Sequence, residues 1–236
     1  MQLSLVLSQR FWFGTGVVKD DCWAMTVIQP MFAVCPWIRL PSVQAVRAAA
    51  GKPDIAGQSV GGDVGDIRTA AVALWPELRG RLEVLRGATY EELKALVRAG
   101  RPAAVSLDAA LLPARLANGV TVLHGVTLAV RPSGQLAMAN PWADAADRWD
   151  DCTWAEIRDA VMGYGRRRAA GAAGAWAVAW PTEEEMAPLN PAIAGRLDEL
   201  AAALAAAKVA EAARAARAET KAAAIAAVSA IPIEET

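Results

Sequence analysis

The chain has 236 residues, of which 55% are hydrophobic and 21% are charged, and its formal net charge at pH 7 is -1. This much apolar side chain can form a buried core, which excludes intrinsic disorder for most of the chain. A nearly neutral chain also lacks the basic field that attracts phosphates, so nucleic acid is not an expected partner.

Helix start and stop signals recur along the first part of the chain. Asp20 and Asp21 are N-cap candidates for a helix from about Cys22 toward Val34, which Pro30 can shorten or kink. Further helices are predicted where a cap residue or a capping box begins a segment that Gly or Pro ends. They are Ser42 to Ala50 before Gly51, Asp66 to Trp75 before Pro76, the segment from Thr89 to Gly100 and the segment from Thr153 to Gly163.

Short apolar runs between these helices predict strands. They cover Ala103 to Leu107, Leu123 to Val130 and Gln135 to Asn140, with a turn at Pro132-Ser133-Gly134 between the last two. Ala175 to Trp180 alternates Trp with small residues and is a candidate closing strand. Because helices come first and the strands then pair through hairpins, we predict an α+β domain with an antiparallel sheet.

The composition changes near the end of the chain. All nine tryptophans precede Pro181, and Ala, Glu, Lys and Arg dominate after it. We therefore predict a domain over residues 1–181, a linker over 182–191 and a helical extension over 192–236. The extension has a narrow apolar stripe, formed by Ile193, Leu197, Leu200 and Leu204. A solvated helix on its own domain and a coiled coil that docks or self-associates are both compatible with it.

The number and spacing of the cysteines indicate the redox compartment and the cofactors to expect. Cys22, Cys35 and Cys152 are odd in number and far apart in sequence, which favours a reducing compartment over a disulfide framework. One histidine and no close cysteine pair predict no zinc site, and the sequence predicts no other cofactor. Cys35 and Cys152 are interpreted as core residues.

The apolar segments near the start of the chain do not predict export or a membrane span. Residues 1–13 have neither a basic leading region nor a small-residue cleavage site. The best apolar run, Cys22 to Ile38, contains Gln29 and two prolines. We therefore expect a soluble protein that is made in the cytoplasm.

Three residues are candidates for chemistry. Cys22 lies at a predicted helix start, where the helix dipole favours thiolate, although the preceding Asp20 and Asp21 oppose it. His124 lies in an apolar strand next to Gly125, which lets another group approach closely. A hairpin can bring Asn140 close to His124, where its amide oxygen could accept from the imidazole and fix the tautomer.

Each of these residues also has a purely structural interpretation. A buried inert cysteine, a core histidine with a satisfied hydrogen bond and a simple Asn140-Pro141 turn explain them one at a time. Four tryptophans near them in sequence could line a substrate groove or pack in the core: Trp23, Trp142, Trp149 and Trp154. The Gly-rich run over residues 57–65 lacks the Lys-Ser/Thr of a phosphate loop and is interpreted as a flexible loop that flanks the cleft.

The order of cysteine, histidine and asparagine resembles that of papain-like cysteine peptidases. Within them it is most similar to the double-glycine (bacteriocin-processing) peptidases and to related domains common in phage proteins. The resemblance spans about residues 10–181, and its matching stretches are Asp21-Cys22-Trp23-Ala24-Met25, Gly100-Arg101-Pro102-Ala103-Ala104-Val105, Leu123 to Val130 and Ala139-Asn140-Pro141-Trp142.

This resemblance implies a papain-like fold and a catalytic triad. Cys22 would be the nucleophile, His124 the general base and acid, and Asn140 the residue that orients the imidazole. The family commonly has Asp at the third position. It also places a Gln about six residues before the cysteine as an oxyanion donor. The stretch Phe13 to Lys19 contains no Gln, and Thr15 and Lys19 are the side chains that could replace it.

Two functions follow as expectations. The first is a phage cysteine peptidase that cleaves either a peptide of the bacterial cell wall or a phage structural protein. It would be located in the host cytoplasm during synthesis and then in the virion. The second is a non-catalytic virion or tail protein on the same fold, which assembles with copies of itself or with phage structural proteins through the C-terminal helix. The missing Gln favours the second function, and the presence of all three triad residues in order favours the first.

Overall fold

The computed structural model describes residues 22–36, 38, 40–52, 62–142, 149–168, 173–193, 195, 199 and 217. The chain divides into two compact units, Met1–Asn190 and Pro191–Thr236. The helices of the first unit are α1 (Cys22–Val34), α2 (Val43–Ala49), α3 (Val64–Leu74), α4 (Tyr90–Arg98), α5 (Ala114–Ala117), α6 (Trp154–Arg167) and α7 (Glu183–Met186). Its strands are β1 (Glu83–Ala88), β2 (Ala103–Asp108), β3 (Leu123–Val130), β4 (Leu136–Ala139), β5 (Asp150–Asp151) and β6 (Ala175–Ala179).

The strands form one sheet in the order β1-β6-β2-β3-β4-β5, in which every neighbouring pair is antiparallel. The predicted α+β class with an antiparallel sheet is therefore confirmed. Strand β6 was predicted as a closing strand, but it lies inside the sheet between β1 and β2. Within the described residues, the helices are too short or too polar to cross a membrane.

Both faces of the sheet are covered. On one face, alternate residues of β2 (Ala103, Val105 and Leu107) join the main core with α4 and α6. On the other face, Ala129 packs with Ala33 of α1 and with Trp149. The small side chains on this second face let α1 lie close to β3, which is what positions its first residue.

Helix α1 has the predicted bounds, Cys22–Val34, with Pro30 inside it. Eleven of its 13 residues are buried, so the helix is covered on nearly all sides. The caps predicted for it, Asp20 and Asp21, lie outside the described residues.

Two helix ends differ from the prediction. Helix α3 begins at Val64 because Asp63 is its N-cap, and Asp66 completes the capping box from the third helical position. Helix α6 continues through Gly163 to Arg167. The end of the exposed Leu111 side chain lies over this glycine, since an added Cβ would lie 2.6 Å from Cδ1 of Leu111. The capping boxes predicted at Thr89 and Thr153 are both present.

Two edge strands and a helical turn were not predicted. Strand β1 carries charged residues, and β5 has only two residues, so neither gives the apolar signal used for the other strands. In the segment predicted as a linker, residues 182–191, a capping box between Thr182 and Glu185 begins α7, and a 3₁₀ turn, Ala187–Leu189, follows. Met186 is buried. The predicted extension over 192–236 lies almost entirely outside the described residues.

Gly174, the residue before β6, lies close to Gly87, where β1 has a bulge between Arg86 and Ala88. An added Cβ at Gly174 would lie 2.5 Å from the backbone carbonyl carbon and Cα of Gly87. Backbone atoms cannot rotate away as a side-chain end can. Gly174→Ala should therefore lower the free energy of unfolding by about 1–3 kcal/mol in urea denaturation.

The matched control is Gly195→Ala, because a Cβ at Gly195 meets nothing within 4 Å. This variant should be as stable as the wild type or slightly more stable. Equal stability of Gly174→Ala and the wild type would contradict the close packing of β6 on β1.

Candidate active site

The three candidate residues lie on neighbouring elements. Cys22 is the first residue of α1, His124 is the second residue of β3, and Asn140 follows the last residue of β4. β3 and β4 pair as an antiparallel hairpin whose turn contains Gly134 at φ +84°. This hairpin returns the chain so that Asn140 lies beside the start of β3.

A buried hydrogen bond joins His124 to Asn140. The distance from Nε2 of His124 to Oδ1 of Asn140 is 2.8 Å, and the two residues are only 5% and 1% exposed. The orientation of the amide is fixed by two backbone groups. Oδ1 of Asn140 also accepts from the N–H of Trp142 at 2.9 Å, and Nδ2 donates to the carbonyl oxygen of Leu116 at 2.9 Å.

These contacts determine which imidazole nitrogen carries the proton. Rotating the Asn140 amide by half a turn would set its NH₂ against the N–H of Trp142 and its oxygen against the carbonyl of Leu116. Oxygen therefore faces the ring, so Nε2 of His124 must be the protonated nitrogen that donates. The lone pair of the neutral ring is then on Nδ1, which is the atom able to accept a proton.

The carbonyl of Leu116 also accounts for Asn rather than Asp at position 140. A carboxylate could still accept from His124 and Trp142, but it has no hydrogen to donate to this carbonyl. A buried carbonyl that loses its donor costs free energy comparable to a lost hydrogen bond. This site is therefore built for an amide.

Burial keeps His124 neutral. Loss of solvent disfavours the imidazolium and lowers the pKa of His124 from 6.5 to about 4, although the hydrogen bond that the ring donates to Asn140 acts in the opposite direction. At pH 7 the ring alone is therefore an uncharged base.

Gly125 brings the first turn of α1 against β3. An added Cβ at Gly125 would lie 3.2 Å from Cγ2 of Thr26 and 3.6 Å from the backbone carbonyl carbon of Cys22. The glycine next to His124 thus accommodates the segment that carries Cys22. Cys22 is half-buried, and both Cys22 and His124 line one cleft of about 660 Å³.

Two of the four tryptophans near these residues in sequence line this cleft. They are Trp23 and Trp142, while Trp149 lies in a core cluster and Trp154 packs against the main core. The described end of the Gly-rich run also borders the cleft, through Gly62 and Asp63. A Cβ at Gly62 would lie 2.3 Å from Cδ2 of Trp23, so glycine is needed where this segment crosses the indole.

A charged wall of the cleft was missed by sequence reasoning. It contains two ion pairs, Lys52–Asp66 at 2.7 Å and Arg168–Asp63 at 2.9 Å. The residues come from three separate segments, so no local spacing relates them. Only Asp63 and Asp66 could have been noticed in the sequence, because their spacing is that of a capping box, which they form at the start of α3.

The other two cysteines lie in the core, as predicted. Cys35 is fully buried and Cys152 is 2% exposed. Burial raises the pKa of the Cys35 thiol to about 11, and the charge of Glu183 acts in the same direction. Burial likewise raises the pKa of the Cys152 thiol to about 12, so both are protonated and unreactive at neutral pH.

The predicted substitutes for the missing glutamine, Thr15 and Lys19, lie outside the described residues. Among the residues that the structure does describe, His, Cys, Asp and Glu side chains nowhere form a group of three or more that could hold a metal ion. Compared with known protein families and with curated proteins, the chain has no significant match.

The lowered pKa of His124 predicts a loss of stability in acid. As pH falls below 6.5, the unfolded chain binds a proton at this ring before the folded chain does. The stabilisation present above pH 6.5 is therefore lost as pH falls toward 4. Between pH 7 and pH 4 the wild type should lose about 3 kcal/mol more than His124→Gln, measured by urea denaturation at each pH. The same pH dependence in both proteins would contradict a buried, neutral His124.

The role of the Leu116 carbonyl predicts that Asp is not tolerated at position 140. Asn140→Asp removes the donor to this carbonyl and buries a charge, so the free energy of unfolding at pH 7 should fall by about 1–3 kcal/mol or more. Asn118→Asp is the matched control, because Nδ2 of Asn118 has no hydrogen-bond partner in the described structure. An equal effect of the two substitutions would show that the amide of Asn140 is not required.

Proposed function

We propose that the chain is a papain-like cysteine peptidase, with Cys22 as nucleophile, His124 as general base and acid, and Asn140 as the residue that orients the imidazole. The observation that carries this proposal is the buried hydrogen bond between Nε2 of His124 and Oδ1 of Asn140. It leaves Nδ1 as the basic atom of a ring that lines the same cleft as Cys22.

The proposed reaction begins with a proton transfer from Sγ of Cys22 to Nδ1 of His124. The thiolate attacks the carbonyl carbon of a peptide bond, and the imidazolium then donates its proton to the leaving amine. Water, deprotonated by the same nitrogen, hydrolyses the thioester and restores the thiol. Asn140 keeps the ring in one orientation throughout, because its oxygen accepts from Nε2 in both protonation states.

Thiolate and imidazolium must form together in this cleft. Burial lowers the pKa of His124 when the ring is considered alone, but an adjacent thiolate favours the charged ring. The two groups would therefore titrate as a coupled pair. The start of α1 also contributes, because the positive end of the helix dipole favours a thiolate at Cys22.

The oxyanion of the tetrahedral intermediate has one donor that the triad itself supplies, the backbone N–H of Cys22. The family's glutamine is missing from the preceding stretch. Loss of one oxyanion donor costs on the order of a hundredfold or more in rate. The proposed enzyme is therefore slow unless another group takes this place.

The proposed substrates are those that the resemblance implies, a peptide of the bacterial cell wall or a phage structural protein. A cleft of about 660 Å³ is within the size range of ligand-binding pockets. The protein would act within a phage particle or during its assembly, after synthesis in the host cytoplasm.

A second candidate is a non-catalytic virion protein on the same fold, which would assemble through residues 192–236. The observation that favours it is the burial of His124, since a ring with a pKa of about 4 and a satisfied Nε2 is also what a structural histidine looks like. In that case Cys22 would behave as an ordinary thiol.

Labelling of Cys22 separates the two candidates. A peptidyl vinyl sulfone should modify the wild type at Cys22, and His124→Gln should slow this reaction at least about a hundredfold, because the general base is lost. The rate is measured by intact mass, and the modified residue by peptide mapping. Cys35→Ala is the matched control and should react as the wild type does, since the Cys35 thiol is buried.

Folding of each variant is checked by circular dichroism. Slow labelling that His124→Gln does not change would overturn the peptidase proposal and favour the non-catalytic candidate.

A further inference from the structure

Arg168 is held in the cleft by aromatic rings and one carboxylate. Its guanidinium carbon lies 5.4 Å from the ring centre of Trp176 and 5.9 Å from that of Tyr164. Nη2 donates to Oδ2 of Asp63 at 2.9 Å, and Nη1 donates to Oη of Tyr164 at 3.2 Å. A planar cation with this support is oriented before any ligand arrives.

The guanidinium retains hydrogen-bonding capacity. These contacts use two of its five N–H donors, and the described part of the structure assigns no acceptor to the other three. The Arg168 side chain is 36% exposed and lines the cleft that contains Cys22 and His124. A ligand in the cleft can therefore reach it.

The acidic groups of the cleft have little capacity left. Oδ1 of Asp63 accepts from the N–H groups of Gly65 and Asp66, and Oδ2 accepts from Arg168. Oδ2 of Asp66 accepts from the N–H of Asp63 and from Nζ of Lys52. Each ion pair has no net charge. What this wall binds is therefore decided by the N–H donors of Arg168 that have no acceptor in the described structure.

We propose that Arg168 is a specificity-determining group that binds a carboxylate of the peptide substrate. The carboxylate can belong to an acidic side chain or to a free C-terminus, since a guanidinium fork matches both. This inference rests on the proposed function, because it assumes that a peptide occupies the cleft. It adds the chemical class of that peptide.

The test measures peptide binding to the full chain carrying Cys22→Ala, so that nothing is cleaved. Pools of random octapeptides are prepared in pairs, in which one pool has Glu and the other has Gln at the same fixed position. The fixed position is moved along the peptide from pair to pair, and each pool is made with free and with amidated C-termini. The retained peptides are quantified by mass spectrometry. We expect about a tenfold preference for Glu over Gln at one position, or for free over amidated termini, which distinguishes the two carboxylate sources.

The preference should disappear when Arg168→Gln is added. Arg167→Gln is the matched control, because Arg167 is the adjacent arginine, is 44% exposed and pairs with Asp108 instead. It should keep the preference. If Arg168→Gln does not fold, Arg168→Met replaces it, since methionine keeps an apolar stem over the two rings.

A carboxylate preference that survives the loss of Arg168 would overturn the inference, and so would retention without any preference or no retention at all. The Cys22 labelling experiment decides the proposed function separately. Labelling that depends on His124, together with no carboxylate preference, would overturn this inference and leave the peptidase proposal standing.

Discussion

The site depends on one buried amide. Asn140 accepts from His124 and from the N–H of Trp142, and it donates to the carbonyl of Leu116. Because two of these partners are backbone groups, the amide cannot turn over, and the imidazole has only one tautomer that fits it. The hairpin β3–β4, helix α5 and the packing of α1 on β3 together place His124 and Cys22 in the lining of one cleft.

Much of the fold was predictable because its signals are local. The capping boxes at Thr89 and Thr153 and the turn before Gly134 each involve residues within a few positions of one another, and all are present. Predictions failed where a local signal had two meanings. Gly163 does not end its helix, which continues to Arg167, because glycine lowers helix propensity without forcing a helix to end.

In the candidate site, too, the local contacts could be predicted from the sequence and the distant ones could not. The proximity of Asn140 to His124 follows from a hairpin, and hairpins are short-range structures that a sequence can indicate. The start of a helix at Cys22 was predicted from local signals, but its association with His124 was implied only by the resemblance, because the packing of α1 on β3 at Gly125 is a tertiary contact. The charged wall had no such guide, since Lys52, Asp63 and Arg168 meet only after the chain has folded.

Asn140 holds the imidazole of His124 as the Nε2–H tautomer, and the proposed chemistry of the site depends on this. Because His124 is the only histidine in the chain, the signals of its ring need no assignment. The direct measurement is the ¹⁵N chemical shifts of the ring in the Cys22→Ala protein, where no thiol exchanges a proton with it. At pH 7 we expect a neutral ring protonated at Nε2, which titrates only toward pH 4. A ring protonated at Nδ1, or one that titrates freely near pH 6.5, would contradict the account.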